Sequence, residues 1–294
     1  MNVTQKRMPQ SRRGLGQTWQ RRVGEALTYL ALTTLSLIFI IPLIWMFLAS
    51  LMTLEQMGAW PPQWIPNPVQ WENYGKALKF WHFGRSFKNT VIITASTMVG
   101  QLLSCTLVAY GFARLRFPGR DTLFVVLLGT MMLPGAVRMV PTYIGFSKLG
   151  WINTFLPLIV PTFFGNAFFI FLLRQFFRTI PQDYMDAARI DGASEIEIWA
   201  RIMLPLSGPA LIVIAVFSFQ GAWNAFLEPL LYLTDEKLRT LALGLYHFTA
   251  MTGQGSLYHQ LMAASVLMVL PMLIVFAVFQ RYFVQGVTLT GVKG

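Results

Sequence analysis

Five of the 12 acidic side chains in this 294-residue sequence lie between residues 181 and 211. The aspartates among them, Asp183, Asp186 and Asp191, are the residue type that a metal-dependent enzyme would gather at a membrane boundary. Their positions along a helix do not converge, however, and the sequence contains no second acidic motif. The three histidines lie far apart and lack the spacing of metal ligands. These residues therefore give no reason to propose a catalytic group or a metal site.

The chemistry of nucleotide binding is missing as well. A loop that holds the phosphates of ATP has the pattern G-x-x-x-x-G-K-[ST]. The nearest candidate, Gly75-Lys76, is followed by Ala77 and lacks the earlier glycine. We therefore expect this chain to bind no cofactor of its own.

The charged stretch is typical of two short helices joined by a tight turn, and its charges keep it out of lipid. Pro181 suits the first position of a helix, and Gly192 can adopt the left-handed conformation that ends one. Ser194 and Glu197 have the spacing of a capping box for the second helix. Pro205 is expected to break that helix before the next apolar run.

Outside this stretch the composition is that of a membrane protein. Hydrophobic residues make up 55% of the chain and charged residues only 12%, against about 25% charged residues in a soluble domain. Each of six apolar runs is long enough to cross a hydrocarbon core of about 30 Å. The sequence predicts an all-α polytopic membrane protein with six transmembrane helices, at about 27–49, 89–112, 121–144, 153–176, 207–229 and 258–282.

The distribution of positive charge predicts the orientation of these spans. Fifteen of the 23 Lys and Arg residues belong to the arm, loops and tail on one side, and seven belong to the other side. Cytoplasmic segments carry the excess of Lys and Arg in such proteins. Both termini and the charged stretch are therefore predicted to be cytoplasmic.

Arg138 and Glu228 are charged residues that lie within apolar runs. Counted along a straight helix, Arg138 lies about 25 Å from the cytoplasmic end of the third run, where its side chain could extend to the outer surface. A role in lining a pathway is the alternative for Arg138. Glu228 is also expected near the outer surface.

The fifth run carries hydrogen-bonding side chains and an aromatic plane in its outer half. This chemistry suits a sugar, so these residues are candidates for a substrate pathway. The other interpretation is that they join spans by hydrogen bonds between helices or anchor the helix at the membrane surface. The residues concerned are Ser218, Gln220, Trp223 and Asn224.

The spacing of Asp186-Ala187-Ala188, Gly192 and Leu204-Pro205 resembles the EAA loop in the membrane subunits of binding-protein-dependent ABC importers, with Asp in place of Glu. The motifs at 117–120, 223–230 and 280–286 resemble the carbohydrate branch of that family, in particular the smaller permease of maltose-type systems. The resemblance covers about residues 25–294. It does not separate sugar importers from glycerophosphate importers.

The resemblance implies a type I ABC importer transmembrane-domain fold in a prokaryotic plasma membrane. It also implies three partners: a second homologous permease, a dimer of ATPase subunits that would hold ATP and Mg²⁺, and an extracytoplasmic solute-binding protein. The coupling to the ATPase would fall on Asp186, Ala187, Ala188, Asp191, Gly192, Leu204 and Pro205.

These expectations divide the chain into four parts. They are a cytoplasmic arm (1–24), a first transmembrane helix with an extracytoplasmic loop (25–88), a permease core (89–285) that includes a cytoplasmic coupling loop (178–206), and a cytoplasmic tail (286–294). The expected function is a permease subunit of a sugar or oligosaccharide importer. Import of glycerol phosphate or glycerophosphodiesters is one alternative, and a secondary transporter is the alternative from another class.

Overall fold

The computed structural model describes residues 15–80, 82–251 and 257–291, with side chains over 22–79, 82–250 and 257–281. Most of the expected N-terminal arm and the last three residues lie outside these ranges. Within them the chain forms helices and turns and no β-strand. Long apolar runs fold this way because a helix satisfies its own backbone hydrogen bonds in lipid. The predicted all-α fold class is confirmed.

Fifteen α-helices occur in the described ranges, together with 3₁₀ turns at Val160–Phe164 and Glu236–Leu238 and a π turn at Trp199–Met203. In chain order the helices are α1 (Leu15–Ser50), α2 (Leu54–Gly58), α3 (Glu72–Phe80), α4 (Phe83–Arg114), α5 (Arg120–Thr130), α6 (Gly135–Lys148), α7 (Leu156–Ile159), α8 (Ala167–Thr179), α9 (Asp183–Ile190), α10 (Glu195–Ile198), α11 (Leu204–Leu206), α12 (Gly208–Trp223), α13 (Leu227–Tyr232), α14 (Leu241–Met251) and α15 (Tyr258–Gly291).

Four stretches of the described chain are long and apolar enough to cross a membrane, and they match four of the predicted runs: Arg22–Ser50, Phe83–Arg114, Leu156–Thr179 and Tyr258–Arg281. The third predicted run corresponds to a bent pair of helices, since Arg120–Thr130 and Gly135–Lys148 meet at 98°. The fifth corresponds to Gly208–Trp223, which meets the preceding hairpin helix, Glu195–Leu206, at 83°. When each bent pair is counted as one span, the described chain has up to six spans.

The bend in the third run follows from its prolines. α5 ends at Thr130, and α6 starts only after Pro134, whose backbone cannot donate the hydrogen bond of a continuing helix. Because the two halves diverge by 98°, a depth counted along one straight helix does not apply to Arg138. The predicted depth of Arg138, which assumed a straight helix, is therefore wrong.

The fifth run and the loop after it also differ from expectation. α12 ends at Trp223, and a separate helix containing Pro229 follows it, so the span is shorter than 207–229. The segment between the fifth and sixth predicted runs contains the apolar helix α14. Leu241, Leu243 and Phe248 of that helix are buried. A helix this short cannot cross a membrane, but protein neighbours can bury it.

The central packing joins α4 to α8 and α12 around buried side chains that include Cys105, Leu173 and Ile214. Small residues allow the close approach. A Cβ placed on Gly100 would lie 2.4 Å from Thr162 Oγ1, so only glycine fits where α4 crosses the Val160–Phe164 turn. Ser104 on the next turn of α4 donates to the Thr162 carbonyl at 3.0 Å. Thr162 also lines the cavity described below.

Candidate functional sites: a helical hairpin and a polar cavity

The charged stretch forms a hairpin of two helices, α9 and a second helix over Glu195–Leu206. α9 begins at Asp183 with Gln182 as its N-cap. Pro181 therefore precedes the cap, and the expectation that it occupies the first helical position is wrong by two residues. Its fixed backbone and missing N–H are harmless there, since no helical donor is needed before the cap.

The turn between the two helices is a Schellman motif built on Gly192. Gly192 has φ of +84°, its amide donates to the Arg189 carbonyl at 3.1 Å, and the Ala193 amide donates to the Ala188 carbonyl at 2.9 Å. These two bonds satisfy carbonyls that would otherwise be unpaired at the end of α9. The left-handed conformation expected of Gly192 is present.

The second helix begins with the predicted capping box. The Glu197 amide donates to Ser194 Oγ at 3.3 Å, and the Ser194 amide donates to a Glu197 carboxylate oxygen at 2.9 Å. The same glutamate lies 3.7 Å from Arg201, one turn later. The sequence therefore specifies the start of this helix correctly.

The second helix ends before the next apolar run, as expected, but it ends at Leu206, one residue after Pro205. The π turn at Trp199–Met203 precedes it, with the Leu204 amide donating to the Trp199 carbonyl five residues back. This wider turn changes the hydrogen-bond register just before the proline, so the helix continues to Leu206. The chain bends at Ser207 instead, where α12 begins.

Arg189 holds the two helices of the hairpin together. Its Nε donates to Glu195 Oε1 at 2.8 Å, and its Nη1 donates to Asp186 Oδ1 at 2.8 Å. The hydrogen bond to Glu195 is the main cause that raises the pKa of the Arg189 guanidinium above its ordinary value. Asp186 also accepts from Gln182 Nε2 at 3.1 Å. The carboxylate of the expected EAA position is thus bound within the hairpin.

The same network joins the hairpin to the end of α4. Tyr110 of α4 donates its hydroxyl to Glu195, and Arg114 donates from Nη1 to Gln182 Oε1 at 2.9 Å. Arg114 Nη2 also donates to the carbonyls of Phe177 and Ile180, at the end of α8. One arginine therefore links three elements, α4, α8 and the hairpin.

The inner face of the hairpin belongs to the protein core. Met185, Ile198 and Met203 are fully buried and pack in the same cluster as Phe177 and Tyr110. Burying a side chain of this size contributes about 1.5–3 kcal/mol. The hairpin is therefore packed firmly against the ends of α4 and α8.

The outer face of the hairpin is defined by Tyr184, Ala187, Ile190 and Ile196, and none of the described residues covers it. Ile190 is 87% exposed, Ile196 69% and Tyr184 56%. Ala187 is exposed as well, whereas its neighbour Ala188 is half-buried against the core. The alanine pair thus serves two surfaces.

The other residues expected to couple to an ATPase lie in two separate places along the hairpin. Asp191 is exposed at the turn. Leu204 is half-buried and Pro205 is exposed, both at the last turn of the second helix, just before the bend into α12. Asp186, Ala187, Asp191 and Gly192 come together around the turn, and Leu204 and Pro205 lie at the joint with the span.

A second feature is a cavity of about 510 Å³ walled by α4, α7, the Val160–Phe164 turn, α12 and α13. Among the four residues expected to line a substrate pathway, only Ser218 lines it. Ser218 is buried and donates its hydroxyl to Gln101 Oε1 on α4. Ser218 therefore joins two helices at the wall of the cavity, which is the second interpretation given for it in the sequence.

The other three pathway candidates lie elsewhere. Trp223 is 3% exposed, and its indole Nε1 donates to the Met268 carbonyl of α15 at 3.1 Å. Gln220 and Asn224 are exposed and outside the cavity lining, and Asn224 Nδ2 donates to the Gln220 carbonyl at 3.0 Å. Trp223 therefore joins two helices.

Sequence reasoning did not assign the polar lining that the fold assembles. Gln101 lies on α4, and Asn166 is the N-cap of α8. In the sequence, each is a single amide side chain within an apolar run, which is the only pattern that could have indicated them. Arg138 and Glu228 also line the cavity. The sequence marked both as charges at apolar runs, but it gave no indication that they face one space.

Residues 14–289 match the family described as binding-protein-dependent transport system inner membrane component. The permease protein of the diacetylchitobiose uptake system of Streptomyces coelicolor is 32% identical over 265 residues, covering 90% of this chain and 87% of that protein. The permease protein of the sn-glycerol-3-phosphate transport system of Yersinia pestis is 32% identical, with 85% and 91% covered.

The fold matches a solved structure as well. A chain of a bacterial ABC transporter involved in the import of the acidic polysaccharide alginate superimposes with a TM-score of 0.79 at 24% identity, covering 94% of this chain and 100% of that one.

Proposed function

This chain belongs to the family of binding-protein-dependent transport system inner membrane components, and we propose that it forms half of the pathway of an ATP-driven sugar or oligosaccharide importer. The hairpin around Asp186–Gly192 would couple that pathway to a separate ATPase. Family membership decides against a secondary transporter. ATP and Mg²⁺ would bind to the partner ATPase, which would also carry out hydrolysis.

The observation that carries the coupling proposal is the two-sidedness of the hairpin. Its inner face is bound to α4 and α8 by Arg114 and by fully buried Met185. Its outer face leaves Ile190 87% exposed in a segment too charged for lipid. An exposed apolar patch rimmed by charges is typical of a protein-interaction surface. A partner that moved this face would move the ends of two spans with it.

The arrangement supports a rigid-body coupling. ATP binding would close the ATPase pair, and the hairpin would pass that closure to α4 and α8 through its packed inner face. Each ligand must bind the two states of the assembly with different affinity for such coupling to work. A second permease would complete the pathway, and an extracytoplasmic solute-binding protein would deliver the substrate. Both termini and the hairpin would lie in the cytoplasm, as the positive charges indicate.

The relatives support the substrate class. One belongs to a diacetylchitobiose uptake system, which favours a sugar or oligosaccharide for this chain. Another belongs to an sn-glycerol-3-phosphate transport system, and it keeps a glycerol phosphate or glycerophosphodiester as the second candidate.

The test uses Ile190→Asp, because Ile190 is so exposed that its replacement removes little packing within the chain. The tagged chain is purified in mild detergent from its native membranes, and the co-purifying proteins are identified by mass spectrometry. The unmodified chain should bring an ATPase and a second permease. Ile190→Asp should lose the ATPase and retain the second permease.

The matched control is Ile65→Asp, at a residue that is 79% exposed in the segment between the first two spans. This variant should retain the ATPase, since the segment is expected on the opposite side of the membrane. Recovery of the unmodified chain alone would contradict the importer proposal. Equal ATPase recovery with Ile190→Asp would show that the outer face is not the docking surface.

A further inference from the structure

The cavity brings together two opposite charges that the fold leaves without ionic partners. Arg138 and Glu228 both line it, and both side chains are exposed. Neither forms an ion pair within 4 Å in the part of the chain that the structure describes. Charged groups at membrane depth are costly unless they face water or serve a ligand. A partly enclosed cavity with one unpaired cation and one unpaired anion has the features of a binding site.

Two amide side chains that line the cavity have NH₂ groups with no partner among the described residues, and the bonds of their oxygens determine how each amide is oriented. Asn166 Oδ1 accepts from the Phe168 and Phe169 amides at 3.0 and 3.3 Å as the N-cap of α8. Gln101 Oε1 accepts from the Ser218 hydroxyl. Because both oxygens are in use, each amide offers its NH₂ group as the unpartnered end.

The charges and donors together select a class of ligand. Arg138 offers up to five donors, and Glu228 offers only acceptors when ionised. A sugar hydroxyl both donates and accepts, so neighbouring hydroxyls can satisfy both groups at once with charge-assisted hydrogen bonds. An anion attracted by Arg138 would be repelled by Glu228, and a cation attracted by Glu228 would be repelled by Arg138.

We infer that this cavity is a subsite for a neutral polyhydroxyl ligand, a sugar without acidic groups, bound between Arg138 and Glu228. This inference rests on the proposed function and narrows it, because it selects a neutral sugar over a glycerol phosphate. It also assigns direct substrate contact to this subunit. The volume of about 510 Å³ lies within the range of about 300–1,000 Å³ for small-molecule sites.

Occupancy of the cavity can be measured without ATP or transport. Ala225 lines the cavity and is half-buried, so Ala225→Cys supplies a thiol whose alkylation by a small maleimide reports access. The native Cys105 is fully buried and should react slowly. The probes are diacetylchitobiose and arabinotriose, both neutral, and sn-glycerol 3-phosphate, which is anionic. The purified complex with its partner subunits is used throughout.

At least one neutral sugar should slow alkylation of Ala225→Cys, and sn-glycerol 3-phosphate should not. Adding Arg138→Gln should raise the sugar concentration for half-protection about tenfold, the loss expected for a hydrogen bond to a charged group. Adding Glu228→Gln should weaken protection by the sugar and allow protection by sn-glycerol 3-phosphate, because the cavity then has a net positive charge.

The matched controls are Lys148→Gln, at the other end of α6 and outside the cavity lining, and Glu55→Gln, at an exposed position of α2. Both should leave protection unchanged. Protection of the parent by sn-glycerol 3-phosphate, or by none of the three probes, would overturn the inference. Loss of the ATPase from the purified unmodified complex would instead count against the proposed function, so the two failures are distinguishable.

Discussion

Replacing Gly192 tests whether the turn of the hairpin is required for coupling. Gly192 has φ of +84°, and a Cβ added there would meet no atom within 4 Å. A substitution therefore introduces no clash, and its whole effect is backbone strain. A residue with a Cβ costs about 1–2 kcal/mol in the left-handed region. Valine should cost more, because its branched side chain is stiff.

The consequence of that strain can be estimated from the Schellman bonds. The 3.1 Å and 2.9 Å bonds from the Gly192 and Ala193 amides close the turn only while φ at residue 192 stays positive. A strain of about 1–2 kcal/mol lowers the ratio of closed to open turns by a factor of about 5–30. We expect Gly192→Ala to reduce ATP-driven uptake and Gly192→Val to abolish it. Gly192→Asn should remain active, because asparagine tolerates this conformation.

The assay is ATP-driven uptake into proteoliposomes that contain the importer, with the solute-binding protein at saturation. The amount of chain inserted, and of second permease recovered with it, should be the same for all three variants. Normal uptake by Gly192→Val would refute the reasoning. Equal loss with valine and asparagine would mean that any side chain at this exposed position blocks the partner, and that the conformation of the turn is not the cause.

Two further substitutions test contacts inside the chain. Trp223→Phe removes the hydrogen bond to the Met268 carbonyl, which is 3.1 Å long in the structure. Thermal unfolding of the detergent-solubilised complex should show a loss of about 1–2 kcal/mol in stability, and the KM for uptake should be unchanged. A raised KM at normal stability would indicate substrate contact instead, and the control Asn224→Ala, at an exposed position, should change neither quantity. Glu195→Gln removes the charge that pairs with Arg189 at 2.8 Å. Because both side chains are about a third or more exposed, the hairpin should lose about 1 kcal/mol of local stability or less. Hydrogen exchange in peptides spanning 183–206 should then be up to about fivefold faster. Unchanged exchange would show that this pair does not hold the hairpin.

Local chemistry made several features predictable from the sequence alone. Gly192, Ser194 and Glu197 act through bonds to residues within a few positions, so the turn and the capping box could be identified from spacing. The number of spans followed from the length of apolar runs, since each helix in lipid satisfies its own backbone. The resemblance to the EAA loop likewise rested on residues close together in the chain, from Asp186 to Pro205.

Tertiary structure decided which side chains meet. Gln101 and Ser218 are 117 positions apart, and no local pattern indicates that they share a wall with Arg138 and Glu228. Arg138 lies at the cavity after the 98° bend between α5 and α6. A straight helix would have carried it toward the membrane surface instead. The role of Trp223 changed for the same reason. Its partner, the Met268 carbonyl of α15, is selected by packing between helices, and that packing depends on how distant parts of the chain come together.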